Sequence, residues 1–378
     1  MLRLERLRLT DFRTYAHLVW QPRAQIVVLS GPNGSGKTNL LEALSLLVPG
    51  RGLRGARLGE LPREGAAHWA VAARLAHAGE PFDLGTGTSP ATPAGRRVFL
   101  LDGHPPRRGA VADALAAVWL TPQMDRLFVE GPAGRRRFLD RLVLALEPGH
   151  AREVAAHDEA LAGRGRLLQG ARAPDAGWLD AVEDALARHA VAVAAARRLL
   201  VARMNARAEA SSGAFPPATL ALDCPVADRL AHEPALAVED WLRGSLRASR
   251  VADAAAPGAR AALGAHRADL RLADLATGRP AAIASTGQQK ALLLGVVLAH
   301  AALIAGDRGQ APLLLLDEPL VHLDATHRAA LLAALPLLGA PALLTGTDAE
   351  PFAALSGHAE MLRAGCGKLV PAEGFPVL

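Results

Sequence analysis

Apolar residues change their spacing repeatedly along the chain, and each change predicts an element. Leu2, Leu4 and Leu7 alternate with polar neighbours, as on a strand with one covered face. Gln25–Ser30, with Ile26 to Leu29 apolar, reads as a buried strand, and Thr38 to Leu47 carries apolar residues at helical spacing. Val98–His104 reads as one arm of a hairpin with Asp102-Gly103 at its turn. From about 111 to 284 the pattern becomes helical. Val182, Leu186, Val193, Leu200 and Met204 lie near one face of Asp180–Arg207, which with the helical segment Val154–Leu168 predicts a short arm turning at Gly170–Gly177. Sustained heptads are absent, which excludes a long coiled coil. From 285 onward helix and buried strand alternate again, with Ala291–Ile304 helical and Leu313–Leu316 and Ala342–Leu344 as strands.

The stretch between the first buried strand and its helix is Gly31-Pro32-Asn33-Gly34-Ser35-Gly36-Lys37-Thr38, with Asn39 next. It fits the phosphate-binding loop G-x-x-x-x-G-K-[ST], and strand, loop and helix follow in the required order. Backbone N–H groups and the positive helix end face one anion, Lys37 reaches the β- and γ-phosphates, and the Thr38 hydroxyl can ligate Mg²⁺. Only three of the 42 basic residues are lysine. A lysine at this position marks a site for a compact ammonium, where a planar fork would not fit.

Far downstream, Leu313–Leu316 ends in Asp317-Glu318-Pro319. Asp317 is placed to hold Mg²⁺ through water and Glu318 to polarise an attacking water, which favours hydrolysis over transfer to a small acceptor. Since Lys37 and Asp317 must meet at one nucleotide, most of what separates them is an insertion. Ser285-Thr286-Gly287-Gln288-Gln289-Lys290 opens the Ala291–Ile304 helix and offers a second anion-binding end. One subunit already has a phosphate loop, so this second end is most simply explained if it closes over the ATP of a partner subunit. Leu323-Asp324 would then be the loop crossing that homodimer interface. The expected fold is α/β: a P-loop ATPase head with lobe 1–110, a mainly helical insertion over 111–284, and 285–378 completing the core.

A net charge of +5 and a pI of about 9.9 fit a polyanionic partner, although an arginine-rich coding bias gives the same balance. Arg51, Arg54 and Arg57 sit among glycines after the first helix, either as a solvated loop or as a DNA or dimer contact. Arg135, Arg136 and Arg137, followed by Arg141, fall on a helix whose Phe138, Leu139 and Leu142 face inward; DNA contact stands beside an ion pair with Asp140 or Asp125. Cys224 and Cys366 lack metal-type spacing. The charged start, Met1 to Arg6, has no apolar core of signal length, and no run approaches a bilayer span, so the cytoplasm is expected and no membrane partner.

These motifs, together with Leu7–Tyr15, Arg135–Asp140 and His266–Leu270, resemble in order and spacing the RecF family, recombination mediator ATPases related to the Rad50 and SMC heads of the ABC class. The resemblance covers essentially the whole chain. It implies an ABC-type ATPase head, ATP-dependent dimerisation, and weak DNA-stimulated ATP hydrolysis. It also implies sequence-independent action with RecR and RecO at single-strand gaps and junctions of damaged or stalled DNA, linked to replication, recombination and the SOS response. By the same resemblance Arg13 lies near the nucleotide phosphates, and Gln123 stands where ABC enzymes sense the γ-phosphate. His266 and Arg267 serve either domain packing or the nucleotide. Thr347 or Asp348 stands where transporter ATPases carry a switch histidine. A transporter ATPase subunit is disfavoured by the large insertion and the missing histidine; a chromosome clamp with little turnover is the other rival.

Overall fold

The computed structural model describes residues 1–91, 96–107, 109–170, 175–209, 215–255, 261–365 and 367–376. Residues 171–174 of the expected Gly170–Gly177 turn, and Cys366, lie outside them. The chain opens with β1 (Leu2–Phe12), β2 (Tyr15–Trp20), β3 (Ile26–Ser30), α1 (Lys37–Ser45), β4 (Ala70–His77), β5 (Glu80–Gly87), β6 (Val98–Leu101), α2 (Ala110–Ala114) and β7 (Ala117–Leu120). There follow α3 (Pro132–Leu146), α4 (His150–Leu168), α5 (Ala176–Glu209), β8 (Ala218–Asp223), α6 (Pro225–Arg229), α7 (Ala235–Ala248), α8 (Arg250–Ala255) and β9 (Asp269–Asp274). The last stretch holds α9 (Thr286–Arg308), β10 (Leu313–Leu316), α10 (Ala325–Leu337), β11 (Ala342–Thr345), β12 (Ala359–Gly365) and β13 (Lys368–Pro371).

Two compact units result. One comprises Met1–Asp125, Ser212–Pro217 and Ala284–Leu378, the other Arg126–Ser211 and Ala218–Ile283. The boundary expected near residue 110 therefore moves to Asp125. The reason is β7, which pairs in parallel with β10 and so belongs to the central sheet.

The first unit carries two sheets. An antiparallel sheet runs β2-β1-β4-β5-β6. In β1 the buried positions are Leu2, Leu4, Leu7, Leu9 and Phe12, and a bulge between Leu4 and Arg6 supplies the extra residue that shifts the alternation. Asp102 and Gly103 do form a turn at positive φ, but the ladder partner of β6 is the preceding β5; beyond the turn lies a single bridge, Leu101 to His104. The second sheet runs β13-β12-β3-β11-β10-β7, with β12, β3, β11, β10 and β7 parallel. Every residue of β3, β7, β10 and β11 is buried, as parallel strands covered on both faces require. The carboxyl ends of these strands open together at one edge, where ligands of such sheets bind. Because β11 lies between β3 and β10, its last residue stands between the phosphate loop and Asp317.

The expectation that no run reaches the length of a bilayer span is corrected by α9. It has 23 residues and an 18-residue window of mean hydropathy 1.6, but 67% of that window is buried inside the protein, as in the core helix of a folded unit.

In the second unit α5 packs along α4, and Leu186, Val193, Val238 and Leu242 are among its core residues. Arg164 is fully buried and bonds Glu183 at 2.9 Å, Asp253 at 2.8 Å and the Leu246 carbonyl at 2.7 Å, the satisfied partners a buried guanidinium needs. His266 and His157 pack at 5.6 Å between ring centroids, and His266 Nε2 donates to the Ala261 carbonyl at 2.9 Å. His266 thus has a packing role in this unit. Desolvation pushes its pKa down to about 4, His157, Arg267 and Arg136 push the same way, and the Ala261 bond opposes them.

A neutral His266 in the folded state against an ordinary imidazole in the unfolded chain favours folding above pH 6.5, an advantage lost as pH falls toward 4. The loss should reach up to roughly 3 kcal/mol. Melting curves at pH 7.5 and 5 should show a smaller drop in His266→Gln than in the parent; equal drops would refute the burial of a neutral ring.

Candidate functional site

The phosphate loop leaves β3 and enters α1 through Gly36, the helix N-cap. Its φ is 100°, no side chain caps the helix, and no acidic residue occupies the first turn. The first N–H groups of α1 are therefore left for an anion. Gly36 is required twice over: its backbone is left-handed, and a Cβ would stand 2.9 Å from Thr14 Oγ1 and 3.0 Å from the Tyr15 hydroxyl. Lys37 is 5% exposed, and its Nζ donates to the Gly31 carbonyl at 2.6 Å and the Pro32 carbonyl at 2.9 Å. Burial lowers the Lys37 pKa, while Glu318, Asp317 and Asp348 pull it back up. Pro32, Asn33 and Gly34 are exposed at the loop tip, and Ser35 is half-buried.

Asp317 meets this loop from the end of β10. Its Oδ1 accepts hydrogen bonds from Thr38 Oγ1 at 3.0 Å and from Thr345 Oγ1 at 2.7 Å. Thr345 is fully buried at the end of β11, and its hydroxyl also accepts the Glu318 N–H at 2.9 Å. Glu318 itself has φ of 50°, a left-handed conformation that costs a non-glycine residue roughly 1–2 kcal/mol. The β11 exit also touches the loop directly, since the Gly31 N–H donates to the Thr347 carbonyl at 3.0 Å. Of Thr345, Thr347 and Asp348, the side chain that reaches Asp317 and the Glu318 backbone is Thr345, which the sequence reading passed over.

The signature stretch begins α9. Ser285 is its N-cap, accepting from Gln288 N at 3.4 Å while Gln288 Oε1 accepts from Ser285 N at 3.1 Å. As a cap the Ser285 oxygen accepts, which leaves its own O–H to donate outward. Ser285 and Gln288 are exposed, whereas Gly287 is pressed against the chain: a Cβ there would lie 2.7 Å from the His322 carbonyl. Asp324 caps α10, accepting from His327 N at 2.8 Å and bonding His327 Nδ1 at 2.9 Å; the backbone bond holds its carboxyl below the usual range. Lys290 also escaped the sequence reading. It is 1% exposed and reaches Asp125 Oδ2 at 3.2 Å and the Glu318 carbonyl at 3.0 Å. The same scarcity of lysine that marks Lys37 was the available signal. Gln123 is exposed on the short turn after β7, and the residue of that turn that bonds Lys290 is Asp125.

The arginines need several corrections. Arg13 does not stand open to a phosphate: its fork closes on Glu42 of α1 at 2.9 Å through both Nε and Nη2, because the fully buried Glu42 demands a counter-charge. Arg54 bonds Asn39 at 2.9 Å and lies 3.6 Å from Glu42, so it braces α1. Arg51 and Arg57 are exposed. Arg135 is bidentate to Asp269, at 2.7 and 2.9 Å, and Arg136 donates to the Ala268 carbonyl at 2.9 Å. Both are engaged within the second unit, and the partner is neither Asp140 nor Asp125. Asp140 instead takes Arg197 in a fork of two 2.8 Å bonds, and His150. Arg137 is the exposed member of the run.

Thr38 and Asp317 offer a hydroxyl and a carboxylate side by side, the hard oxygen donors that suit Mg²⁺. Among the described residues no group of three or more His, Cys, Asp or Glu could hold a metal ion.

The family model described as RecF/RecN/SMC N terminal domain matches residues 3–340. A DNA replication and repair protein RecF of Mesorhizobium japonicum is 43% identical over 375 residues, covering 98% of both chains. That of Agrobacterium fabrum is 43% identical over 369 residues, 96% of this chain and 97% of the relative. Among solved structures, the recombination mediator protein RecF-ATPrS of the RecFOR pathway superposes with a TM-score of 0.82 at 20% identity, over 98% of each chain. A Pyrococcus furiosus Smc head gives 0.52 at 14% identity, over 98% of this chain and 96% of the other. At these identities the two structures attest the fold, an ABC-type ATPase head.

Thr345→Val removes a donor to Asp317 and leaves the buried Glu318 N–H without its acceptor. Stability should fall by about 1–3 kcal/mol, with ATP turnover falling more than ATP affinity, and Thr345→Ser should retain both. Denaturant titration with single-turnover assays checks this; a fully active Thr345→Val would show that the hydroxyl is dispensable.

Proposed function

The chain belongs to the RecF family of DNA replication and repair proteins, with the fold of an ABC-type ATPase head, and from that membership we propose that it is an ATP-driven switch on DNA. The observation that carries this reading is the joining of Thr38, Asp317 and Thr345 beneath an uncapped helix N-terminus. In the proposed cycle the loop Gly31–Thr38 and Asn39 hold the ATP phosphates, with the Lys37 ammonium at their β- and γ-oxygens. Mg²⁺ on Thr38 and Asp317 would offset charge on those oxygens. Glu318 orients water and accepts its proton, giving ADP and phosphate. Gln123, exposed beside the site, is assigned to the γ-phosphate.

Closure requires a second copy. Ser285, Gly287 and Gln288 are exposed or half-buried at the start of α9, with the Ser285 O–H directed to the γ-phosphate of the partner and Asp324 at the crossing. The closed homodimer binds gapped duplex and single–double-strand junctions without reading sequence, through phosphate contacts. Arg51, Arg57 and Arg137 are assigned to it as exposed arginines of the two runs, and Arg54 is exposed as well while held by Asn39 and Glu42. RecR and RecO are the proposed partners, the cytoplasm at the nucleoid the proposed location, and slow hydrolysis the release step. The transporter reading falls with the family.

Glu318→Gln retains an acceptor and loses the charge needed to take a proton. ATP should still bind and close the dimer, while hydrolysis falls by roughly 10²–10⁴, and the dimer should persist on gapped DNA after ATP is diluted. Equal lifetimes for parent and variant would sink the coupling of hydrolysis to release. Ser285→Arg should bind ATP normally yet sediment as a monomer with ATP; a parental dimer would refute the sandwich.

A further inference from the structure

We infer that Lys290 is a positioning residue for hydrolysis, fixing the backbone of Glu318 and tying it to the first turns of α9. This rests on the reading of Glu318 as the water-orienting carboxylate. Both faces of the Glu318 backbone are held by side chains: its N–H by Thr345 Oγ1 at 2.9 Å and its carbonyl by Lys290 Nζ at 3.0 Å. Between those two bonds the residue sits at φ of 50°, which an L-residue keeps only where its surroundings impose it. Without the Lys290 bond the carbonyl keeps only the longer backbone bond from the Val321 N–H at 3.4 Å, a weaker restraint against relaxation toward negative φ, and the side chain would swing with the peptide. A shift of about 1 Å in such a group lowers rate by about 10²-fold without removing any bond to substrate.

Local physics argues against a lysine at this position for packing alone. It is nearly fully buried, so its charge must be desolvated, and it lies near the amino end of α9, where the helix dipole disfavours a cation. A methionine would fill the same space without either penalty. Asp125 offsets the charge at 3.2 Å, leaving the ammonium free to direct another N–H at the Glu318 carbonyl. The same first turns of α9 carry Ser285 and Gly287, and Gly287 is in close contact with the His322 backbone just past Glu318. A displacement of the start of α9 is thereby carried to Glu318 of the same subunit by one hydrogen bond.

The test uses the full-length protein, with ATP affinity, single-turnover hydrolysis and melting temperature measured in parallel. Lys290→Met/Asp125→Asn removes the donor and also the orphaned carboxylate. It should bind ATP within a few-fold of the parent, melt normally, and hydrolyse roughly 10²-fold more slowly. Lys290→Gln, which keeps an N–H donor, should recover most of that loss. A double variant with parental hydrolysis overturns the inference. So does one whose ATP affinity and melting temperature fall in step with turnover, since that is a packing role; and so does an equal loss in Lys290→Gln, which assigns the effect to charge. Parental hydrolysis by Glu318→Gln in the same assay would instead overturn the reading of Glu318 itself, so the two failures are distinguishable.

Discussion

The structure depends on one carboxylate. Asp317 Oδ1 receives hydroxyl protons from Thr38 and from Thr345, residues that follow or end three adjacent parallel strands. Thr38 and Asp317 are 279 positions apart. Parallel strands cannot be joined by tight turns, so bringing these ends together requires long crossovers. In sequence, most of the second unit falls between the segments of the first that carry Thr38 and Asp317. Each hydroxyl bond is modest in water, yet here the acceptor is charged and 4% exposed, where such bonds are stronger and their loss more costly.

Arginine and lysine divide the remaining work according to their shape. In the second unit Arg164, Arg197 and Arg135 each meet a carboxylate through a fork or several donors, Arg135 and Arg197 in bidentate geometry. At the nucleotide edge the buried cations are lysines, each sending one compact ammonium to two oxygens. A few of the basic residues are thereby internal: Lys37, Arg164, Arg197 and Lys290 are buried. Most of the other arginines are exposed or half-buried, so the net charge of +5 does not by itself mark a binding face.

The phosphate loop, the Leu313–Leu316 strand with its acidic pair, and the long helices were legible because each is encoded within a few turns of chain. What escaped was relational. Nothing near Thr345 says that it will sit between two other strand ends; that follows only from strand order. For Arg135 and Arg136 the ion-pair alternative named Asp140 or Asp125, because the actual partners, Asp269 and the Ala268 carbonyl, lie 134 and 132 positions away. The alternation through Leu2, Leu4 and Leu7 marked β1, but not the bulge between Leu4 and Arg6, since a bulge is defined against the partner strand. Ser285 was correctly placed at a helix start, while its reciprocal bonds with Gln288 emerged only from the geometry.

Those reciprocal bonds set the start of α9 apart from the start of α1. The start of α1 has no side-chain cap, so its donors are open to an anion on the same chain. The start of α9 is capped by Ser285, so the Gln288 N–H there is satisfied within the chain. A subunit with two uncapped ends would favour anions at both, whether or not a partner were present. The two helix starts therefore differ as anion sites: no side chain competes for the donors of α1, whereas at α9 Ser285 already engages one of them.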